Sequence, residues 1–387
     1  MATEIVKFPV PVAPAGPAVA RLVVTDFRSY ETARFETAPI PVVLTGPNGA
    51  GKTNLLEAVS FLAPGRGLRR TKLSEIDRRG GNSPWALSIR LTTDDGIVEI
   101  GTGRDGQSDS GERRIVRIDG TTVKSQAELA RLTSMIWLTP QMDRLFTERS
   151  SARRQFLDRL VFGFDPEHAS QLSAYEKAMR ERLKLLRDGG GDSTWLSALE
   201  DSMAAHGIAI AAARGETVAR LDHACSTTTG AFPQARLALE GEVDGWLRDM
   251  PALAAEEKLS ARLQQQRRID ADSGTTTFGP HRADLIVQHV GNGMPASLCS
   301  TGEQKALLLG ILLAQARLLA AHRGNPPIIL LDEVAAHLDA ERRAALFDEI
   351  IALNTQAWMT GTDAALFAEL RGAAQFLTVA DARISHG

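Results

Sequence analysis

Cysteine is almost missing from this 387-residue chain: Cys225 and Cys299 are the only two. Two distant thiols cannot make a disulfide scaffold, and their scarcity suits a reducing compartment, so both read as small buried hydrophobes. The eight histidines and two cysteines also lack metal-ligand spacing, which leaves no expected zinc site. Aromatic residues are 5% of the chain and hardly interleave with its basic segments, arguing against base stacking as the main way of holding single strands. Charge of one sign is missing too. Forty-four Lys+Arg face 47 Asp+Glu, a formal net charge of −3, so any nucleic-acid contact must be a local patch. Long apolar runs are lacking: the best, Ala306 to Ala314, ends at Gln315, short of the ~18 residues a membrane span needs. With no basic region and apolar core at the start, no secretory signal is expected, and the expected location is cytoplasmic.

The length exceeds what one small core holds, so two domains, or one with a large insertion, are expected. Residues 1–19, Pro- and Ala-rich from Pro9 to Pro17, read as a flexible N-terminal arm. Leu22-Val23-Val24 and Ile40 to Leu44 read as strands. Alternation around Trp85 to Leu91, then Ile97 to Ile100 and Ile115 to Ile118, with Asp95-Gly96 and Asp119-Gly120 between, predicts antiparallel hairpins. The pattern then changes. Leu172, Tyr175, Met179, Leu183 and Leu186 recur every three or four residues, one apolar stripe on a helix. Gly189-Gly190-Gly191 interrupts it, and Asp192 or Ser193 caps a second helix through Trp195, Leu199 and Met203. The expected organisation is an α/β head of residues 20–160 and 275–387, split by a helical arm of 161–274.

Gly46-Pro47-Asn48-Gly49-Ala50-Gly51-Lys52-Thr53 matches the phosphate-binding P-loop, with a strand before it and a helix from Asn54 after it. Glycines let backbone N–H groups approach phosphate, Lys52 reaches the β- and γ-phosphates of ATP, and Thr53 offers its hydroxyl to Mg²⁺. Ile328 to Leu331 followed by Asp332-Glu333 reads as a buried strand ending in two acids. Asp332 is the expected second Mg²⁺ ligand, and Glu333 the group that orients or deprotonates the attacking water. Ser300 and Gly302 open an apolar helix, forming either a second phosphate nest or, with Glu303, a plain capping box.

Ser-x-Gly-Glu, then the acidic strand, then His337-Leu338-Asp339 resemble the signature, acidic-strand and D-loop series of ABC-type ATPases. Phe27-Arg28-Ser29-Tyr30 and the P-loop through Asn54 look like an SMC-type head. Three further segments, Arg153 to Asp158, Phe278 to Leu285 and Thr360-Gly361-Thr362-Asp363, resemble the RecF family of bacterial recombination-mediator ATPases from about Arg21 onward. That resemblance implies an ABC-type, SMC-like head with a short helical arm. It implies an ATP-dependent homodimer in which Lys52 and Thr53 of one copy face Ser300 and Gly302 of the other. Gln141 would then stand in a Q-loop position near Mg²⁺, Asp339 would cross the interface, and Arg28 would sit at the nucleotide. It further implies slow, DNA-stimulated ATP hydrolysis, binding to duplex or single/double-strand junctions, and RecO- and RecR-type partners. No switch histidine follows Met359; Thr360 to Asp363 stand there instead. Two basic stretches, Gly65 to Gly80 at +4 and Arg144 to Arg159 at +3, are the candidate DNA surfaces. His281 either faces a partner or satisfies a backbone carbonyl in a turn. The competing readings are a transporter's nucleotide-binding subunit and a structural clamp that binds ATP without hydrolysing it.

Overall fold

Alternating burial shapes the first sheet. In β1 (Ala18–Phe27), Leu22, Val24 and Phe27 are buried while Thr25 is exposed, the pattern of a strand covered on one face. This computed structural model describes residues 16–81, 83–106, 113–189 and 192–386. Of the expected N-terminal arm, residues 1–15 lie outside them. Ala18 and Val19 are already buried strand, so the arm is shorter than its expected end at residue 19.

Next come β2 (Tyr30–Glu36), β3 (Val42–Thr45), α1 (Lys52–Ser60), β4 (Ala86–Thr93), β5 (Gly96–Arg104), β6 (Arg114–Ile118) and β7 (Thr121–Thr122). α2 (Ala127–Leu132) and β8 (Met135–Leu138) lead to α3 (Ser150–Phe164), α4 (His168–Arg187), α5 (Ser193–Thr227) and β9 (Ala235–Glu240). α6 (Glu242–Asp249), α7 (Ala252–Gln265), α8 (Arg267–Ser273), β10 (Asp284–His289) and α9 (Thr301–Arg323) follow. The chain ends with β11 (Ile328–Leu331), α10 (Ala340–Ala352), β12 (Ala357–Gly361), β13 (Gln375–Ala380) and β14 (Arg383–His386).

The described residues form two compact units. One holds those through Gln126, Leu132–Thr139, and those from Leu319; the other holds Ala127–Arg131 and Pro140–Leu318. The division therefore falls elsewhere than residues 161 and 274. α3 packs on α5 and β10, and β10 pairs with β9, so both flanks of the expected insertion join the helical unit.

Two sheets build the first unit. One is antiparallel, ordered β2-β1-β4-β5-β6-β7. Its last hairpin turns on Asp119-Gly120, both at positive φ (48° and 81°), the type I′ geometry that the Asx-Gly pair predicts. The other sheet is ordered β14-β13-β3-β12-β11-β8, its strands parallel except for edge strand β14. β3, β8, β11 and β12 are buried throughout, as parallel strands covered on both faces must be. Loops leaving the carboxyl ends of such strands are where ligands bind in this architecture.

In the second unit the expected helix pair is present: α4 packs on α5. Asp192 caps α5, its Oδ1 accepting from the Thr194 N–H at 2.8 Å. Gly190 and Gly191 of the expected break lie outside the described residues. Two expectations shift. Trp195 is 54% exposed rather than core, and the buried line on α4 passes through Arg182 instead of Leu183. α9 is also the one described helix long and apolar enough to cross a membrane; 67% of its apolar window is buried inside the protein, as a core helix would be.

Candidate nucleotide site

The P-loop joins β3 to α1, and its shape depends on glycine at two places. At Gly46 (φ 148°) an added Cβ would lie 2.0 Å from the Val379 carbonyl oxygen; at Gly51 (φ 110°) it would lie 2.6 Å from the Tyr30 hydroxyl. Tyr30 donates to the Gly51 carbonyl at 3.2 Å, and Asn54 Nδ2 donates to Ser29 Oγ at 2.9 Å. The Phe27 to Tyr30 segment thus fastens the start of α1, whose positive end is directed at the loop. Lys52 folds back over that loop, Nζ donating to the Gly46 and Pro47 carbonyls at 2.7 and 2.9 Å. Burial pulls its pKa below the usual lysine value, and Glu333 and Asp332 partly restore it.

The parallel sheet carries the acidic pair to the same place. β12 lies between β3 and β11, so Thr45, Gly361 and Leu331 end neighbouring strands, with Thr360 one residue before the end of β12. Thr53 Oγ1 and Thr360 Oγ1 both donate to Asp332 Oδ1, at 2.9 and 2.8 Å. Thr360 Oγ1 also accepts from the Glu333 backbone N–H at 2.8 Å. That bond holds Glu333 at φ 53°, a left-handed conformation that costs a non-glycine residue about 1–2 kcal/mol. Thr360 therefore fixes both acids. Sequence reading marked its position only for lacking a histidine; a threonine near a strand end was visible, but nothing local said which strand it lies beside.

A hydroxyl and one carboxylate oxygen 2.9 Å apart are hard donors of the kind Mg²⁺ takes, with phosphate and water completing its shell. Among the described residues no cluster of three or more His, Cys, Asp or Glu side chains could hold a metal without such help.

Arg28, expected at the nucleotide, is engaged by residues of the fold. Its Nε and Nη2 bind both oxygens of buried Glu57 at 2.8 and 2.7 Å, Nη2 also reaches Thr71, and Nη1 reaches the Glu75 carbonyl. Arg69 joins Glu57 to Asn54 at 3.1 and 2.9 Å. Arg28 therefore braces α1. Arg114 does so from the other end. Buried, it binds the carbonyls of Phe61, Ala63 and Gly65 just beyond α1, with no carboxylate partner among the described residues, and burial lowers its pKa to about 9. Neither Glu57 nor Arg114 stood out in the sequence, since Glu57 is a lone charge in an apolar helix opening and Arg114 reads as one of several surface charges beside Glu112, Arg113 and Arg117.

Asp339 caps α10, Oδ1 accepting from the Arg342 N–H at 2.8 Å, and is exposed. Gln141, Ser300 and Gly302 belong to the second unit. Gln141 is exposed in the turn Pro140–Arg144, which Lys305 of α9 holds through Asp143 at 3.5 Å. Ser300 and Glu303 form the capping box: Ser300 N–H to Glu303 Oε2 at 2.8 Å, Glu303 N–H to Ser300 Oγ at 3.3 Å. Gly302 is exposed and a Cβ there would meet nothing within 4 Å, so no packing within this chain demands glycine.

The basic stretches are partly spent inside the fold. Arg78 pairs with Asp26, and Arg153 grips Asp284 through two bonds of 2.8 and 2.6 Å. Lys72, Arg79, Arg144 and Arg149 are exposed. His281 takes the turn reading: Nε2 meets the Thr276 carbonyl at 2.9 Å and Nδ1 meets the Tyr175 hydroxyl at 2.8 Å.

A P-loop after one parallel strand and an Asp-Glu pair after another define an ABC-type, SMC-like ATPase head. The family described as RecF/RecN/SMC N terminal domain matches residues 18–382. The DNA replication and repair protein RecF of Mesorhizobium japonicum is 51% identical over 95% of this chain and 97% of its own length. Its counterpart in Rhizobium johnstonii is 50% identical over 95% and 98%. The chain belongs to the RecF family. Among solved structures, the recombination mediator protein RecF with ATP in the RecFOR pathway has a TM-score of 0.83 at 22% identity, covering 97% of this chain and 99% of that one. The Smc head domain of Pyrococcus furiosus has a TM-score of 0.54 at 14% identity, covering 95% of each. These last two speak for the fold.

Proposed function

We infer that this protein is a DNA-binding ATPase of DNA replication and recombinational repair, acting in the cytoplasm. The observation that carries the reading is the 2.9 Å bond between Thr53 and Asp332, which brings together two motifs 279 residues apart. The names of the curated relatives supply the process, replication and repair. Gly46 to Asn54 hold ATP, with Lys52 on the β- and γ-phosphates. Thr53 and Asp332 would hold Mg²⁺, which when bound neutralises phosphate charge. Glu333 accepts a proton from the attacking water, and Thr360 keeps its backbone in position. Arg28 acts through Glu57 on α1. Ser300, exposed at the head of α9, and Gly302, which no packing within this chain demands, meet the nucleotide of a second copy, whose Asp339 crosses the same interface. Exposed Lys72, Arg79, Arg144 and Arg149 contact the DNA backbone, so binding falls with salt and is largely blind to sequence. RecO- and RecR-type proteins are the expected mediators.

Glu333→Gln tests the reading most directly. The variant should bind ATP normally and hydrolyse it on the order of a hundredfold more slowly. It should also persist as a dimer on DNA, measured on duplex, gapped and single-stranded substrates across a salt series. Wild-type turnover would remove Glu333 as the base. No phosphate release from the unaltered protein, with DNA and Mg²⁺ present, would favour the non-hydrolysing clamp.

A further inference from the structure

The helical unit contains a cavity of about 230 Å³ that the nucleotide chemistry does not use. Leu172, Met179, Ile210 and Pro280 give it an apolar wall. Its polar side is formed by Arg154, Asp158, Arg214, Tyr175 and His281, and most of these groups are already satisfied. Arg214 binds both oxygens of Asp158 at 2.8 and 2.9 Å and the Pro280 carbonyl at 2.8 Å; His168 adds a third contact to Asp158 at 2.8 Å. Tyr175 and His281 satisfy each other.

Arg154 is the exception. Half-buried on α3, it makes one hydrogen bond among the described residues, from Nη1 to the Ala283 carbonyl at 2.6 Å, and no ion pair. That partner is neutral. Burial first and the guanidinium of Arg214 next disfavour its charge, the carboxylates of Asp284 and Asp158 oppose this through space, and Arg282 adds a smaller disfavouring push. A cation so placed gains from an incoming anion.

The size and lining of the cavity restrict what that anion is. A volume above the ~150 Å³ that holds one benzene ring suits an aliphatic or aromatic side chain together with a small polar group. One guanidinium with free donors can take the two oxygens of a carboxylate or of a phosphodiester, but the wall of Leu172, Met179 and Ile210 suits an apolar side chain next to the carboxylate and gives the polar sugars of a nucleic-acid backbone nothing to bond. Exposed Ser151, Gln155 and Glu176 at the rim leave a path for a continuing polypeptide. We propose that this cavity is a docking site for a partner protein's segment that ends in a large apolar side chain and a carboxylate, with Arg154 as the carboxylate's fork. The site is separate from the P-loop and works without nucleotide.

The probe is a fluorescent peptide ending in leucine, phenylalanine and a free carboxylate, titrated by anisotropy into the full-length protein without ATP. Saturable binding is expected. It should weaken roughly tenfold when the terminal carboxylate is amidated, and by a similar factor in Arg154→Gln. Met179→Trp, which fills the apolar wall and leaves the charge in place, should also displace the peptide. It decides the matter if Arg154→Gln fails to fold, as judged by ATP affinity. Absence of saturable binding, equal affinity for acid and amide, or binding untouched by either variant would overturn the proposal. So would competition by inorganic phosphate or duplex DNA at concentrations comparable with the peptide's, which would make the cavity a phosphate site.

Discussion

Lys52 in the P-loop and Arg182 in the helical unit are both buried cations, 4% and 0% exposed, and the fold treats them in opposite ways. Arg182 is neutralised on the spot. Nε binds Glu200 at 2.9 Å, Nη1 binds Asp270 at 2.6 Å, and Nη2 reaches the Leu263 carbonyl; both acids are themselves fully buried. Lys52 rests on two neutral carbonyls, with acids near enough to act on it through space but forming no ion pair with it. A closed network specifies packing. A cation whose neutralisation is left to another molecule specifies binding.

The largest expected effects separate the two. Lys52→Ala should weaken ATP binding by roughly a hundredfold, the loss expected when a buried charge pair is truncated. Its thermal unfolding without nucleotide should change little, because the lost cation had been desolvated at a cost. Unchanged affinity by calorimetry would remove the P-loop assignment. Arg182→Met should do the reverse. With Glu200 and Asp270 left buried and less well neutralised, the fold should lose about 3–5 kcal/mol in urea unfolding, while the folded protein keeps its ATP affinity. A loss near zero would mean that Arg267, which also binds Glu200 at 2.5 Å, carries that network alone.

The same contrast explains what was legible in the sequence. The P-loop is a local motif whose glycines, lysine and threonine act within eight positions, so it could be read directly. Asp332-Glu333 was legible as a strand ending in acids, but its bond to Thr53 depends on β12 separating β3 from β11, which no local pattern gives. Thr360 stayed hidden for that reason. On α4, helical period correctly predicted a buried stripe, yet hydrophobicity chose Leu183 over Arg182, because arginine reads as surface unless its two acids, 18 and 88 residues away, are known. The arm's limits were misplaced because the pairing of β9 with β10 joins segments on both sides of the expected boundary.

His281 sharpens the comparison with a group that the fold keeps neutral. Burial is the main reason that its pKa falls from 6.5 to about 4; nearby Arg282 and Arg154 push the same way, and the Thr276 carbonyl pushes back. Above pH 6.5 both folded and unfolded histidine are neutral, and the contribution is fully present. As pH falls towards about 4 the unfolded chain takes up the proton first, so stability is lost across that interval and levels off below it. His281→Gln retains a donor and an acceptor without titrating, so its urea midpoint should fall less between neutrality and pH 4. An unchanged slope would assign the acid sensitivity to other groups.

Asp244 is the smallest and most pointed test, since it is an acid with deferred neutralisation and no evident ligand. Both its oxygens are buried without a hydrogen-bond partner among the described residues, beside Gly241 in the first turn of α6. Burial raises its carboxyl pKa above 3.8, while Arg214, the nearby backbone N–H of Asp244 itself and Arg248 pull it back. A raised carboxyl pKa means that the folded chain holds its proton after the unfolded chain has released it. The resulting cost to stability appears as pH rises through 3.8, grows until the folded carboxyl ionises, and is constant thereafter. Asp244→Asn removes the ionisation and keeps the shape. It should raise the urea midpoint at neutral pH by an amount equivalent to about 1 kcal/mol or less, part being offset by losing a negative charge at a helix N-terminus. The gain should vanish at acid pH. A loss of stability at neutral pH would show that Arg214 and Arg248 already neutralise Asp244 well enough to make it a closed pair, and the contrast drawn from Lys52 would then not extend to buried acids.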